Sequence, residues 1–560
     1  MVGCMAVCTG FAQDLPKWAE KARKAVFSVV TYGKDNKILN TGNGFFIDET
    51  GTAVSDYTLF KGADHAVIVT TDGKELPVKY IMGANDIYDV VKFKTEVGKK
   101  PTALQPVSQA ATVGETVYLL PYSTQKSGEG ETGTVTKVDT IGNNSYYYTL
   151  NLKTNDKNVS CPVMNANGQV IGLIQRNADK ENKQSYAIGV EYAAGLTINA
   201  LSGSDFTLNT IGIKKGLPAK ESDALVYLYM MSSQLDREGY LSLLNDFIAQ
   251  YPDNMEGYQR RAACYMSYGD DAHSKLAEED VKKMFATAQK KEEAHYNFAR
   301  LIYNYNLGLG EGKVPFGDWT YDHALQEVNT ALGIAKEGLY YQLLGDICFA
   351  QKKYAEAAEA YSAMNHTSMA SASSFYSEAK AKEMAGEKDS KVLIVLLDSA
   401  VNKFNKPYGQ EAAPYLYERG QLKDRTGAVR EAVKDYNAFY DAMMGEVSAD
   451  FYVVREQAEL KCRMYQQAID DINKAVAIDP NNVEMWVEKG GVHLRVNQPD
   501  EAEKALTKAI AIDPDNASAY RMLGYCRIQQ GKKDEGIRDL QKAKELGDEV
   551  AVTLLEKYAK

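Results

Sequence analysis

A chain of 560 residues is too long for a single hydrophobic core, so its length predicts two or more domains. Hydrophobic residues make up 45% of the chain and charged residues 25%, a composition that excludes a largely disordered protein. The formal net charge is −11, and no cluster of lysine and arginine offsets it. Because proteins that bind nucleic acid need such clusters against the phosphates, this class is excluded as well.

The first thirteen residues, MVGCMAVCTGFAQ, are small and apolar, and charged sequence begins at Asp14. Small residues at Gly10 and Ala12 suit cleavage after Ala12, so residues 1–13 are predicted to be a truncated secretory signal. An exported, periplasmic protein follows from this interpretation; the alternative is a cytoplasmic protein. No later stretch has the roughly eighteen uncharged apolar residues of a membrane span.

Short β-branched runs dominate from Ala25 to about Ser204 and alternate with turns rich in Gly, Asn and Asp. Many short strands at this spacing predict an all-β barrel or sandwich. The clearest runs are VFSVVTY, HAVIVTT, ETVYLLPY and QVIGLIQ.

A set of local motifs follows the same order as in trypsin-like serine proteases of the HtrA type, and the domain resembles that family. The resemblance extends over most of this β-rich segment, rests on order and spacing together, and implies a chymotrypsin-like double barrel over residues 14–215. The motifs are TGNGFFI (41–47), GTAVSDYTLFKGA (51–63), NDIYDVVK (85–92), VGETVY (113–118), GTV (133–135), NVSCPV (158–163) and NGQVIG (167–172).

The chemistry of this family requires a histidine that takes the proton of a serine and an aspartate that orients the histidine. Aligned on the flanking residues, the resemblance places the histidine position at Thr58, the aspartate position at Asp89 and the serine position at Val159. The two glycines that shape the oxyanion turn become Ser160 and Cys161. The resemblance therefore implies a pseudoprotease in which Asp89 is a structural residue.

The alternative is an active serine endopeptidase with a displaced triad, in which Ser160 or Cys161 is the nucleophile. His65 is the one histidine of this domain and lies seven residues past the expected position, where a strand would direct it away from the site. Without a nearby base neither nucleophile would be activated. No cofactor is expected, and the spacing of the cysteines predicts neither a zinc site nor a disulfide framework.

The C-terminal part of the chain repeats itself. The segments IDPNNVEMW (478–486) and IDPDNASAY (512–520) recur with a period of about 34 residues, and the repeat resembles the tetratricopeptide (TPR) family. We expect two antiparallel helices per repeat that approach closest where Gly490 or Gly524 faces Ala502 or its equivalent. The matching residues of the clearest repeat are Trp486, Gly490, Ala502, Leu506, Ala509 and Pro514.

Fainter copies upstream extend the predicted array to residues 216–560, with eight or nine helical pairs between about 221 and 550. The TPR resemblance implies a right-handed superhelix whose concave groove binds a protein or peptide. The combination of modules resembles envelope proteins of Bacteroidota. The sequence thus favours a non-catalytic, protein-binding envelope scaffold, with an active HtrA-like endopeptidase that recruits substrate through its TPR repeats as the alternative.

Overall fold

The computed structural model describes residues 15–107, 109–124, 130–142, 145–177, 184–310 and 312–558. The chain divides into two compact units, Met1–Tyr265 and Met266–Lys560. The predicted signal segment, residues 1–13, lies outside the described residues. The predicted division at 215/216 stays a prediction, because the first unit continues through two helices and most of a third beyond it.

Twelve strands of the described residues form two closed antiparallel barrels in the first unit, with strand orders β1-β2-β3-β6-β5-β4 and β10-β11-β12-β9-β8-β7. This confirms the predicted double barrel. The strands are β1 Val26–Tyr32, β2 Ile38–Phe46, β3 Thr52–Ser55, β4 His65–Val69, β5 Glu75–Asn85, β6 Val90–Thr95, β7 Thr116–Leu119, β8 Glu131–Ile141, β9 Ser145–Asn151, β10 Pro162–Met164, β11 Val170–Ile174 and β12 Ser185–Gly189.

Alternating burial along β1 shows which of its side chains face the core of the first barrel. In β1, Val29 and Thr31 are buried while their neighbours are half-buried, as expected when successive side chains point to opposite faces. The ladder closes where β1 pairs with β4, with Ser28 opposite Val69. Closure leaves no free strand edge in the barrel.

A continuous apolar cluster joins the two barrels. It contains Phe45 and Val54 of the first barrel together with Met164, Leu173 and Ile188 of the second, all of them buried. Burying a side chain of this size contributes about 1.5–3 kcal/mol. Val90 and Tyr88, the neighbours of Asp89, belong to or pack against this cluster.

The rest of the described chain is helical, with nine consecutive helical pairs from α5 to α22 and a last helix α23. The helices are α1 Trp18–Ala22, α2 Tyr57–Phe60, α3 Val190–Gly195, α4 Phe206–Asn209, α5 Glu221–Met231, α6 Arg237–Gln250, α7 Met255–Met266, α8 Asp271–Thr287, α9 Lys291–Gly308, α10 Tyr321–Ile334, α11 Gly338–Ala350, α12 Tyr354–Asn365, α13 Ala372–Met384, α14 Ser390–Val401, α15 Ala413–Arg425, α16 Val429–Ala442, α17 Ala449–Lys461, α18 Tyr465–Ile478, α19 Val483–Arg495, α20 Pro499–Ile512, α21 Ala517–Gln529, α22 Lys533–Glu545 and α23 Glu549–Tyr558.

The turn between the two helices of a repeat is itself periodic. Arg463, Asn497 and Gly531, which follow one another at intervals of one repeat, all have positive φ angles, of 62°, 57° and 85°. A left-handed residue after a helix ends it, because the next backbone N–H groups then bond to carbonyls of the last turn. Only Gly531 adopts this conformation without steric cost, so the period is set by backbone geometry and not by one residue type.

Packing within the last repeats corrects one detail of the predicted contact. A Cβ added to Gly490 would lie 2.6 Å from Leu506 Cδ2, so the side chain of Leu506, and not Ala502, is its nearest neighbour. At Gly524 the expectation holds, since an added Cβ would lie 2.7 Å from the carbonyl oxygen of Gly536, the residue equivalent to Ala502. A leucine of the second helix lies against each glycine, since the Cβ added to Gly524 would also lie 2.9 Å from Leu540 Cγ.

Candidate functional site

The histidine and aspartate positions lie side by side, as the resemblance implies. Asp89 sits between β5 and β6 with a φ of 46°, and its Oδ1 accepts hydrogen bonds from Thr58 N (2.7 Å) and Thr58 Oγ1 (2.8 Å). Thr58 lies in the first turn of α2, so Asp89 satisfies one of the free N–H groups of that helix. A threonine hydroxyl that donates to a carboxylate is no general base near neutral pH.

Val159, the residue that the resemblance aligns with the serine, has a buried side chain. The next residue, Ser160, is fully buried in the left-handed conformation, with a φ of 61°. Its Oγ donates to Asp56 Oδ1 at 2.9 Å, and its N–H donates to the carbonyl of Ile174 at 2.8 Å. Ser160, a candidate nucleophile of the alternative endopeptidase, is therefore inaccessible to a substrate in this conformation.

Asp56 was not singled out from the sequence, although it is the main polar group beneath the site. It is 1% exposed, and burial together with the nearby charge of Asp89 raises its pKa to about 6. Its Oδ2 has no hydrogen-bond partner among the described residues. In the sequence it precedes the short helix α2 and has the appearance of an N-cap, but its side chain makes no capping hydrogen bond.

Two asparagines hold the loop before Val159 in place. Asn43 Nδ2 donates to the carbonyls of Lys157 (2.9 Å) and Val159 (3.0 Å), which ties the loop to β2 of the first barrel. Asn155 Oδ1 accepts from Lys157 N at 2.9 Å and caps a 3₁₀ turn over Asp156–Asn158. In chymotrypsin-like sites the N–H two residues before the serine helps to bind the oxyanion. Here that N–H is already bonded.

His65 and Cys161 do not complete a site. His65 is the first residue of β4, and its ring stacks on Tyr32 with the centroids 4.9 Å apart. Its Nδ1 lies 3.3 Å from Asp64 Oδ2. Cys161 is fully buried, and burial raises the pKa of its thiol to about 12. A thiol of that kind stays protonated and is a poor nucleophile at neutral pH. Within the described ranges there is also no group of three His, Cys, Asp or Glu side chains that could hold a metal ion.

Comparison with known families agrees with both halves of this architecture. Residues 42–173 match the trypsin-like peptidase domain, and residues 463–523 and 493–549 match the tetratricopeptide repeat. A curated relative is a probable periplasmic serine endoprotease, DegP-like, from Halomonas elongata, which is 23% identical over 187 residues. The match covers 33% of this chain and 38% of the relative, so the chain spans well under half the length of that protein.

The chain thus combines a trypsin-like peptidase domain, a part of the chain similar to a DegP-like protease, with TPR repeats. This combination defines either a serine protease or a scaffold, in both cases with repeats suited to protein–protein interaction. No helix in the described part of the chain is long and apolar enough to cross a membrane.

Proposed function

We propose that this protein is a non-catalytic scaffold of the bacterial envelope that binds a protein partner through the concave surface of its TPR repeats. The observation that carries the proposal concerns the two residues at which a nucleophile is predicted, Val159 and Ser160. The serine position is Val159, and the adjacent hydroxyl of Ser160 is buried and donates to Asp56.

The base and the oxyanion donors support the same conclusion. Thr58 cannot take a proton in place of histidine, and its hydroxyl is bonded to Asp89. The N–H of Lys157 is bonded to Asn155, so it is not free to stabilise negative charge on a substrate oxygen. In this proposal residues 14–215 form a pseudoprotease domain and residues 216–560 form the binding array.

The proposed location of the protein in the bacterial envelope rests on more indirect support. The DegP-like relative is described as periplasmic, and residues 1–13 carry the small, apolar character of a signal segment. The repeat array supports partner binding because stacked helical pairs present a long continuous surface.

The second candidate is an active serine endopeptidase that recruits substrate through its repeats. It is favoured by the match of residues 42–173 to a peptidase domain and by the description of the relative as an endoprotease. The two candidates differ in one measurable property, which is peptide-bond cleavage by the full chain.

Cleavage is tested by incubating the full chain with unfolded casein beside the variants Ser160→Ala and Val159→Ala. We expect all three proteins to leave casein intact, because no activated nucleophile reaches the surface. Cleavage by the wild-type chain that is lost in Ser160→Ala and kept in Val159→Ala would replace the scaffold with the endopeptidase.

Binding is tested with a photo-cross-linking amino acid placed at exposed positions of the full chain. Glu484, on the first helix of a repeat, and Lys34, in the β1–β2 turn of the barrel, form a matched pair. In envelope extract we expect a protein cross-link from position 484 and others along the repeats. Cross-links from the barrel positions alone would show that the barrel captures the partner instead.

A further inference from the structure

One repeat buries a glutamate where its neighbours carry glycine. Glu456 in α17 lies one repeat period before Gly490, which lies one period before Gly524. At both glycines an added Cβ would approach atoms of the second helix to within 2.6–2.7 Å. The equivalent position in α17 therefore belongs to the tightest contact of the repeat, yet it holds a carboxyl group.

This carboxyl group lacks the partners that a buried charge requires. Glu456 is 0% exposed, and neither of its side-chain oxygens has a hydrogen-bond partner within the described residues. One turn further along α17, Glu459 is 3% exposed, and its Oε2 is likewise without a partner in that part of the chain. An ionised carboxylate buried without a partner is strongly unfavourable, whereas the protonated acid is far less so.

Arg455, the residue before Glu456, is bonded to other side chains. Arg455 Nε and Nη2 donate to the two oxygens of Asp471 on α18, at 2.6 and 2.9 Å, and Nη1 donates to Asn437 on α16 at 3.1 Å. Its Nε lies 3.9 Å from Glu459 Oε1, too far for a hydrogen bond. The bidentate pair with Asp471 thus leaves Glu459 without a hydrogen bond from Arg455.

The other charges around Glu456 are mostly negative. Three carboxylates act on Glu456, those of Glu488 in α19, Asp471 in α18 and Glu459 in its own helix. One positive charge acts in the other direction, the guanidinium of Arg495 in α19. Burial and then Glu488 raise the pKa of Glu456 to about 8.

A second carboxyl group shares this environment. Burial and then Asp471 raise the pKa of Glu459 to about 7, with Asp470 acting in the same direction and Arg455 and Lys474 of α18 opposing it. Both glutamates therefore hold a proton at a pH where an exposed glutamate is ionised.

We propose that α17 and α18 form a proton-controlled joint in the repeat array, which packs closely while Glu456 carries a proton and opens when Glu456 is ionised. The ionised carboxylate has no partner inside the repeat and must reach water, so α17 has to separate from the helices around it. Glu459 adds a second proton to the same change. The two following repeats have Gly490 and Gly524 at this position, so they contain no carboxyl group that could release a proton there.

The direction of the pH dependence follows from linkage. The closed pair binds a proton more tightly than the open pair, in which Glu456 regains the ordinary pKa of 4.5. The closed pair is therefore most strongly favoured below pH 4.5, and this preference decreases as the pH rises to about 8. Over this range the opening equilibrium increases about tenfold per pH unit for each proton released.

Hydrogen exchange of the full chain tests the joint, with rates corrected for the intrinsic effect of pH. Between about pH 6 and about pH 8, we expect the opening equilibrium of α17 to rise at least tenfold. Peptides from α21, which contains Gly524, serve as the internal control and should show no such rise. The variant Glu456→Gln keeps the shape of the side chain without its charge, and should reduce the rise in α17 by more than tenfold.

Two results would overturn the proposal: a pH-independent α17 in the wild-type chain, or an unchanged rise in Glu456→Gln. If that variant fails to fold, Glu488→Gln provides the second test. Removing the negative charge of Glu488 lowers the pKa of Glu456, so the rise between the same two pH values should become smaller. A rise equal to that of the wild type would refute the role of Glu456.

Discussion

The hydrogen bond between Ser160 and Asp56 is predicted to be a major link between the two barrels. Ser160 precedes β10 of the second barrel, and Asp56 follows β3 of the first barrel. The bond therefore connects the two barrels, through residues 104 positions apart in the sequence. Replacing Ser160 with alanine removes a hydrogen bond to a buried carboxyl group, which costs about 1.5–3 kcal/mol when that group is charged. The remaining hydroxyl near Asp56 Oδ1, that of Ser55, lies 3.4 Å away and compensates little.

The same pair predicts how the stability of the barrels depends on pH. The pKa of Asp56 is about 6 in the folded protein, against 3.8 for an exposed aspartate. Because the folded state holds the proton more tightly, the free energy of unfolding falls as the pH rises from 3.8 to 6 and then levels off. The shift corresponds to about 3 kcal/mol. Asp56→Asn should remove this slope.

Hydrogen exchange in peptides from β3 and β11 of the full chain measures these changes locally. Ser160→Gly is the matched control, since it loses the same hydroxyl but suits the φ of 61°. Glycine avoids the cost of about 1–2 kcal/mol that a side chain brings to a left-handed residue. We expect Ser160→Gly to be more stable than Ser160→Ala by about that amount. Equal protection in the wild type and Ser160→Ala at neutral pH would refute the argument.

Three further predictions concern reactivity and packing. A serine-directed fluorophosphonate should leave the full chain unlabelled while it labels trypsin, because Val159 has no hydroxyl and Ser160 is buried; stoichiometric labelling at Ser160 would contradict this. Gly490→Ala should destabilise α19 by about 1–3 kcal/mol in hydrogen exchange, since its Cβ would lie 2.6 Å from Leu506 Cδ2. Gly491→Ala, which meets only Met522 Cε at 3.0 Å, should instead be neutral or stabilising by up to about 1 kcal/mol, and equal effects at the two glycines would disprove the assigned register. Ala502→Leu, at a fully buried position, should lower the stability of α20 by about 1–3 kcal/mol in the same measurement, and unchanged protection would count against close packing there.

The barrels and the repeats could be predicted because both leave a regular trace in the sequence. Alternation in runs such as VFSVVTY marks a strand with one buried face, and the recurrence of Pro480 as Pro514 one period later marks a stacked helical pair. The adjacency of Thr58 and Asp89 could also be anticipated, because family order fixes the ends of the strands that carry them.

The contact between Asp56 and Ser160 could not be anticipated in the same way. It depends on how two barrels dock, and no local pattern encodes a distance between residues 104 positions apart. For Glu456 a signal did exist. Aligning it with Gly490 and Gly524 shows a glutamate at a position otherwise filled by glycine, which is the kind of conflict between local sequence and fold that marks a special position.

The proposed lack of catalysis involves more than the two side chains at Thr58 and Val159. A protease keeps its oxyanion donors free of internal partners and bonds its nucleophile only to the general base, because the substrate carbonyl must reach both. Here the N–H of Lys157 donates to Asn155, Asn43 donates to the carbonyl of Val159, and Ser160 Oγ donates to Asp56. Each bond helps to hold the loop before β10 in its present conformation. Restoring a histidine and a serine alone would leave these bonds in place, so the proposed lack of catalysis is a property of the whole loop.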